Sequence, residues 1–416
     1  MLLGGSMNAF LAAATSVALV LSGGGARGAY QIGVWKALRE LNIDIVAVYG
    51  TSVGAINGAL IAYGDYDFAE RAWLEVDFED VMNVPEEMKK ILTGGLFEVN
   101  IFKAFEVARD LIQSGGIDIG PLREKLKTLL PEDRIRNSKV HYGLVTYCIS
   151  DLKPYTLYIE DIPEGLLADY ILSSANFPLF KREEISGKLF IDGGIYSNVP
   201  VRMAVEKGWE NILVVDIGTI GLTDILDYLR VFRDRNRIGY IRPREHFGNV
   251  MNFDREVIRK YFIEGYLDTL AYFGKLHGEY YYLSSDEDVL KQMYTKLSVE
   301  ERDIAAALLG IKVPTHLPAE QQYESFILPR LRLEALAFFE DSKKVSLRLL
   351  ENLAKILKVE RLRIYTPFEL LEAIVHSAEP EDLLSRLAVQ VRYRKVLDFV
   401  LLLYKSYTKK PIQWEK

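Results

Sequence analysis

Short apolar runs alternate with amphipathic stretches along the first half of the chain. Runs rich in β-branched residues are typical of buried strands, and apolar residues spaced three and four apart are typical of helices. The predicted strands are 17–21, 45–49, 140–148, 155–159, 189–191 and 211–216. The predicted helices are 28–41, 52–63, 67–75, 101–112, 121–129, 166–174 and 201–207. This alternation predicts an α/β fold, a sheet covered by helices on both faces.

The pattern changes beyond Gly218, where strand signals become scarce. Residues 241–274 predict a loop and then a helix over 255–273, and nearly everything from 286 onward has helical spacing. Helix starts are predicted at the capping boxes of Ser298 with Glu301 and Thr366 with Glu369, and at Glu379-Pro380-Glu381, before apolar residues spaced along one face from 383 to 404. We therefore predict an N-terminal extension over 1–14, an α/β domain over 15–283 and a C-terminal all-helical domain over 284–416.

Composition narrows the class of protein. The chain has 416 residues, 49% hydrophobic and 26% charged, which is typical of an ordinary globular protein with two domains. A formal net charge of -7 argues against nucleic acid as a general partner. The single cysteine, Cys148, excludes an intrachain disulfide and lies in an apolar run, where a buried thiol is favoured over a reactive one.

The N-terminal residues bear on location. The apolar stretch 8–21 has no Lys or Arg before Arg27, so it lacks the basic region of a secretory signal peptide. No apolar run reaches the roughly 18 residues that span a membrane. We expect a cytoplasmic protein, and peripheral contact with a membrane surface stays open.

A glycine-rich loop follows the first predicted strand. Gly23, Gly24 and Gly25 can expose several backbone N–H groups in one concave nest at the start of a helix. Arg27 in the first helical turn favours attraction of an anion, with a surface salt bridge as the alternative. The spacing 23–28 also fits the dinucleotide-binding fingerprint, but the second strand ends without the carboxylate which that site requires. The loop therefore predicts an oxyanion hole, and a turn that serves only packing stays as the alternative.

A serine follows the second predicted strand in the pattern Gly50-x-Ser52-x-Gly54. The pattern fits a nucleophile elbow, a sharp strand-to-helix turn in which the two glycines relieve crowding. Because a nucleophile and oxyanion donors end neighbouring strands, the two motifs together indicate a serine hydrolase.

The base that activates Ser52 is the next question. Asp192 ends a later strand, and Gly193 and Gly194 leave room beside it. A desolvated carboxylate can accept the serine proton directly, although an Asp-Gly-Gly turn without chemistry is the alternative. His141 begins a strand, and the remaining histidines lie beyond the last clear strand: His246, His277, His316 and His376. An Asp base is therefore favoured over a histidine triad.

Three motifs carry a family resemblance. Gly-Gly-Gly-Ala-Arg-Gly at 23–28, Gly-Thr-Ser-Val-Gly at 50–54 and Asp192-Gly193-Gly194-x-x-x-Asn198-x-Pro200 resemble the signatures of the patatin-like phospholipases, including bacterial patatin-like acyl hydrolases. Residues 173–178 are similar to the family's Ala-Ser-x-x-x-Pro stretch, but position 173 is serine and Asn176 replaces a small apolar residue. The resemblance covers about residues 15–218.

The resemblance implies a three-layer α/β/α patatin-type sheet followed by the helical extension. It implies a Ser52–Asp192 dyad, an oxyanion hole built by Gly24, Gly25, Arg27 and Gly28, and no metal or cofactor. The implied substrates are acyl esters of glycerolipids, for which residues 177–180 form either an apolar rim or part of the core. An acyltransferase using the same dyad and a non-catalytic lipid-binding or membrane-surface module are the alternative functions.

Overall fold

The computed structural model describes residues 14–84, 86–94, 115–218, 238–337, 340–378 and 391–409. The chain divides into two compact units, Met1–Gly274 and Lys275–Lys416. This division precedes the predicted boundary at 283, because Tyr282–Leu283 pairs with Ile364–Tyr365 inside the second unit. Residues 1–13 of the predicted extension and the predicted helix 101–112 lie outside the described residues.

An eight-stranded mixed sheet forms the centre of the first unit. Its strands are β1 (Ser16–Leu21), β2 (Asp44–Thr51), β3 (His141–Cys148), β4 (Lys153–Tyr158), β5 (Glu183–Ile185), β6 (Lys188–Asp192), β7 (Ile212–Val215) and β8 (Ile238–Ile241). Their order is β5-β6-β3-β2-β1-β7-β8, and β4 pairs with β3. Strands β3, β2, β1, β7 and β8 run parallel, whereas β4 and β6 are antiparallel to β3. All six predicted strands are confirmed, and β5 and β8 were not predicted.

Helices cover both faces of this sheet. Those of the first unit are α1 (Ala29–Glu40), α2 (Val53–Tyr63), α3 (Tyr66–Glu75), α4 (Phe78–Val81), α5 (Glu86–Gly94), α6 (Gly120–Leu129), α7 (Glu132–Arg136), α8 (Leu167–Ser174), α9 (Val201–Glu206) and α10 (Arg255–Tyr272). Alternate residues of β1 face opposite cores, as the two-residue repeat of a strand requires. Val17 and Leu19 pack in the core that contains α1 and α2, and Ala18 and Val20 pack in the core that contains α9. The structure is therefore the predicted three-layer α/β/α arrangement.

The second unit is mostly helical. Its described helices are α11 (Val289–Thr295), α12 (Val299–Leu308), α13 (Ala319–Gln322), α14 (Leu328–Ala335), α15 (Ser342–Ile356), α16 (Pro367–Ser377) and α17 (Val391–Thr408), with a π-helical turn over Tyr323–Ile327. The capping boxes at Ser298 and Thr366 are confirmed. The predicted helix start at 379–381 lies outside the described residues. The prediction of an all-helical domain is wrong in one detail, the short parallel pair of β9 (Tyr282–Leu283) and β10 (Ile364–Tyr365).

Two features noted in the sequence concern burial and the membrane. Cys148 is a buried free thiol, as its apolar surroundings predict. Across the described ranges, every helix is too short or too polar to cross a membrane.

Candidate active site

Two strand ends meet along one edge of β3. Residues Ala47 to Thr51 of β2 pair with β3 up to Val145, and Asp192 of β6 pairs with the next residue, Thr146. Strand β4 occupies the other edge of β3 from Gly143 to Cys148. Since β6 is antiparallel to β3 and β2 is parallel to it, β2 and β6 point toward each other. The residues that follow Thr51 and end β6 are therefore brought together by this pairing.

Ser52 lies in the turn between β2 and α2. Its backbone has φ 56° and ψ -128°, a conformation that non-glycine residues rarely adopt and that stores strain. A nucleophile elbow has this geometry, which lifts the serine hydroxyl above the carboxyl end of the sheet. The structure thus places Ser52 as the motif predicts.

The two glycines of the elbow are required by close contacts. A Cβ on Gly50 would lie 2.1 Å from the carbonyl oxygen of Gly54. A Cβ on Gly54 would lie 2.3 Å from the carbonyl oxygen of Leu21, at the end of β1. Both distances are far below van der Waals contact, so the sequence pattern reflects the tight approach of α2 to the sheet.

Asp192 is buried and accepts two hydrogen bonds. Its side chain accepts a hydrogen bond from the Ser52 hydroxyl, and its Oδ1 accepts the N–H of Gly194 at 2.7 Å. Burial raises the pKa of Asp192 to about 6, and these two hydrogen bonds oppose the shift by stabilising the carboxylate. A carboxylate with this pKa is ionised at neutral pH and can still accept a proton.

The glycine loop lies beside Ser52. A Cβ on Gly23 would lie 2.8 Å from Cβ of Ser52, and the Gly23 N–H is taken by the Asn198 side chain at 3.0 Å. Within the described part of the chain, the N–H groups of Gly24 and Gly25 donate no hydrogen bond. These two groups are therefore the available donors of the predicted oxyanion hole.

Arg27 and Gly28 are placed differently from the other loop residues. The Arg27 guanidinium donates to the carbonyl oxygens of Ile217, Gly218 and Gly248 at 3.3 to 3.4 Å. Gly28 lies where α1 begins, and a Cβ there would lie 2.6 Å from Val53 Cγ2. Neither is among the described residues that line the cavity that Ser52 opens into, although Gly28 packs against Val53, which does line it.

Two residues around Ser52 were not given a role by sequence reasoning. The Ser174 hydroxyl accepts the Ser52 N–H at 3.0 Å and donates to the Val145 carbonyl at 2.7 Å. It thereby joins the elbow to the point of β3 where β2 leaves it. The Asn198 side chain orients Gly23 by accepting its N–H. Ser174 lies in the stretch 173–178, and Asn198 lies in the motif that begins at Asp192. Their contacts, however, are with residues far away in the sequence, and only the structure shows them.

Ser52 and Asp192 open into a cavity of about 980 Å³. Its lining is predominantly apolar and includes Phe177, Pro178 and Phe180 from the stretch between the catalytic motifs. The charged lining residues include two ion pairs, Lys125 with Asp80 at 2.6 Å and Arg255 with Asp77 at 3.6 Å. A cavity of this size and polarity is typical of a site for an apolar ligand with a few polar groups.

The histidines lie elsewhere. All five are in described segments, and none is among the described residues that line the cavity. His141 bonds Tyr49 and Glu160 at the opposite end of β3. His246 lies beyond β8, the last strand of the sheet, as predicted, and it lies against Gly218, which is not among the described residues that line the cavity. Among the described residues, no group of His, Cys, Asp or Glu side chains could hold a metal ion.

Comparison with known proteins agrees with this geometry. The family model of patatin-like phospholipases matches residues 19–205, a range that contains the glycine loop, the elbow and Asp192. Residues 19–205 are a patatin-like domain. The matched range ends before β7, β8 and α10, which complete the first unit.

Curated relatives share this domain. Patatin-like phospholipase domain-containing protein 6 of Homo sapiens is 27% identical over 227 residues, which are 51% of this chain and 14% of that protein. Neuropathy target esterase sws of Drosophila melanogaster is 30% identical over 228 residues, again 51% and 14%. The matched stretch is therefore a small part of much longer relatives.

Among solved structures, VipD from Legionella pneumophila aligns with 96% of this chain and 93% of its own. The identity is 15% and the TM-score is 0.39, which is too low to support a common arrangement of the whole chain.

Proposed function

We propose that this chain is a serine hydrolase of lipid acyl esters. The observation that supports it best is the strained Ser52, whose hydroxyl bonds a buried Asp192 at the end of an apolar cavity. The patatin-like domain contains both residues. We assign the chemistry to the first unit, which contains Ser52 and Asp192.

The reaction proceeds through an acyl-enzyme. Ser52 Oγ attacks the ester carbonyl while Asp192 takes the hydroxyl proton, and the carbonyl oxygen becomes an oxyanion held by the N–H groups of Gly24 and Gly25. The tetrahedral intermediate collapses, the C–O bond to the alcohol breaks, and Asp192 returns the proton to the leaving alcohol. Water then attacks the acyl-enzyme with Asp192 as base, which releases the fatty acid and restores Ser52.

The lipid acyl chain occupies the apolar cavity. Four of the seven described charged residues that line it form the ion pairs of Lys125 with Asp80 and Arg255 with Asp77, in which the opposite charges offset one another. Leu129 and Ile195 line the same cavity and are 40% and 36% exposed, which suits a mouth that contacts a membrane surface. Replacing both by serine should reduce binding to phosphatidylcholine vesicles without changing hydrolysis of a soluble ester.

Ser52→Ala tests the proposal directly. Loss of the nucleophile should lower kcat for a p-nitrophenyl ester on the order of a millionfold and abolish labelling by a fluorophosphonate probe. Ser173→Ala is the matched control, because it removes a buried serine hydroxyl whose one hydrogen bond among the described residues goes to the Tyr170 carbonyl in its own helix. A folded Ser52→Ala protein that retained a tenth of the activity would exclude the serine mechanism.

The same assay separates the alternatives. Addition of glycerol diverts the acyl group to an acylglycerol if the chain is an acyltransferase, whereas a hydrolase continues to release fatty acid. A wild-type protein that neither labels nor turns over but still binds vesicles would be a non-catalytic lipid-binding module.

A further inference from the structure

Helix α10 carries a row of buried polar side chains. Tyr261, Glu264 and Asp268 lie at helical spacing and are 0%, 0% and 5% exposed. Buried polar groups are costly unless they are hydrogen-bonded, so this row requires partners. Residues 244–250 are here called the supporting loop. All three side chains contact this loop directly.

Tyr261 has the most extensive contact with the supporting loop. Its hydroxyl accepts the N–H groups of Phe247 at 3.0 Å and Gly248 at 3.3 Å, and donates to the Gly248 carbonyl at 3.1 Å. One buried hydroxyl therefore fixes the backbone of two consecutive residues. The Tyr261 ring also packs edge-on against Phe247, with 5.2 Å between the ring centroids.

The two acidic residues hold the beginning of the same loop. Glu264 Oε1 accepts the backbone N–H groups of Arg244 at 3.2 Å and Glu245 at 3.1 Å. The Arg244 side chain pairs with Asp268 at 2.7 Å, and Asp268 also accepts the Tyr30 hydroxyl at 2.9 Å. The supporting loop is thus fixed at both its start and its middle by one face of α10.

The end of the supporting loop contacts the glycine loop. The Val250 carbonyl accepts the N–H of Ala26 at 2.8 Å. A Cβ on Gly25 would lie 2.0 Å from the same oxygen, so the two backbones touch. The Gly248 carbonyl, which Tyr261 holds, also accepts Nη2 of Arg27 at 3.4 Å. The glycine loop is therefore held by contacts that continue to α10.

We propose that Tyr261 is a positioning residue for the oxyanion hole, acting through the supporting loop on Gly25. This inference rests on the proposed function, because it assumes that the N–H groups of Gly24 and Gly25 bind the oxyanion. Such donors are effective only within about 2.7–3.1 Å of the oxyanion. A small displacement of the loop therefore weakens the binding of the transition state more than the binding of the substrate. Tyr261 lies outside the residues that the family model matches.

Tyr261→Phe removes the hydroxyl and keeps the ring. It should lower kcat roughly tenfold and leave KM within about twofold, a smaller loss than the hundredfold or more that follows deletion of a whole donor. Tyr281→Phe in the second unit is the matched control, since it removes another buried hydroxyl that donates to a backbone carbonyl, Val359 O at 3.0 Å. The control should leave kcat unchanged.

Rates are expressed per active site, counted by end-point labelling with a fluorophosphonate. A Tyr261→Phe protein with unchanged kcat per labelled site would overturn the inference. Any fall in total activity would then come from a smaller fraction of folded protein. Equal losses of kcat in Tyr261→Phe and Tyr281→Phe would overturn it as well.

Asn249→Ala provides a second variant at the protein surface. The Asn249 side chain ties the supporting loop to the carbonyls of Leu92 and Thr93 at 2.9 Å, so its loss should also lower kcat per labelled site without a change in KM. If Tyr261→Phe fails to fold, an unchanged kcat in Asn249→Ala overturns the inference. Turnover that survives in Ser52→Ala contradicts the proposed function instead, and a wild-type protein without turnover contradicts both.

Discussion

Replacement of Asp192 by asparagine should abolish activity and at the same time stabilise the folded protein at neutral pH. The carboxylate is 5% exposed, and its ionisation in that position is opposed by desolvation. Asparagine has nearly the same shape, carries no charge, and can still accept the Gly194 N–H through its side-chain oxygen. The Asp192→Asn variant therefore removes the proposed base, and it also removes the free-energy cost of burying the negative charge of the carboxylate.

The pKa of Asp192 gives the size and sign of the effect. It rises from 3.8 to about 6 on folding, and each pKa unit corresponds to about 1.4 kcal/mol. Because the folded-state pKa is higher than the unfolded-state pKa, folding favours protonated Asp192. The stability that the protonated side chain contributes is fully present below the unfolded pKa and is lost as the pH rises through about 6. The uncharged amide of the Asp192→Asn variant has no such loss, so the variant should be more stable than the wild type by about 3 kcal/mol at pH 8.

Urea unfolding followed by far-UV circular dichroism at pH 4 and pH 8 measures the difference. At pH 4 the gain should shrink to less than about 1 kcal/mol, because wild-type Asp192 is then protonated. Asp268→Asn is the control with the opposite sign, since it breaks the buried pair with Arg244 and should destabilise. A gain at pH 8 that is absent, or equal to the gain at pH 4, would refute the argument from charge burial.

Further outcomes follow from the same contacts. In the wild type, kcat/KM should fall tenfold per pH unit below about 6, where Asp192 is protonated in the free enzyme, and a profile flat to pH 4.5 would exclude it as base. Gly25→Ala should lower kcat at least a hundredfold, because φ +55° and a backbone oxygen 2.0 Å from the added Cβ force the loop to move; unchanged kcat would leave the loop a packing role. Ser174→Ala should lower kcat about tenfold with little change in KM, measured per labelled site, because the elbow loses its bond to β3. Specificity should rise as soluble p-nitrophenyl esters lengthen from two to about eight acyl carbons, by up to about 0.8 kcal/mol per CH₂, and this gain should fall in the double variant Phe177→Ser, Phe180→Ser; a preference for acetyl esters would contradict a lipid substrate.

The local parts of the site could be predicted from the sequence. A Cβ on Gly50 would meet the carbonyl oxygen of Gly54, four residues further on, so this part of the elbow is local, whereas the close contact of Gly54 is with Leu21 of β1. The glycine loop is likewise a short segment between a strand and a helix. Features of this kind depend on backbone geometry within a few residues, so a single sequence contains the information needed to predict them.

The long-range parts could not be predicted in this way. Strand β8 has four residues and follows a segment with few strand signals, so the sequence pattern predicts a sheet that ends at β7. The bonds of Ser174 to Ser52 and Val145, and those of Tyr261 to the supporting loop, join residues that no periodicity connects. They depend on which strand pairs with which, and in what register.

In the proposed mechanism, that register also explains how an aspartate acts without a histidine. In a Ser-His-Asp triad the histidine bridges a gap to the serine, and a carboxylate orients its ring. Here β2 and β6 end against consecutive residues of β3, Val145 and Thr146, so the side chain of Asp192 needs only one methylene to bring its carboxylate to the Ser52 hydroxyl. The orienting bond comes from the backbone N–H of Gly194, and burial raises the pKa of the carboxyl to about 6. In the proposed dyad, the pairing of strands thus supplies the proximity, the Gly194 N–H supplies the orientation and burial supplies the basicity that a triad obtains with a third residue.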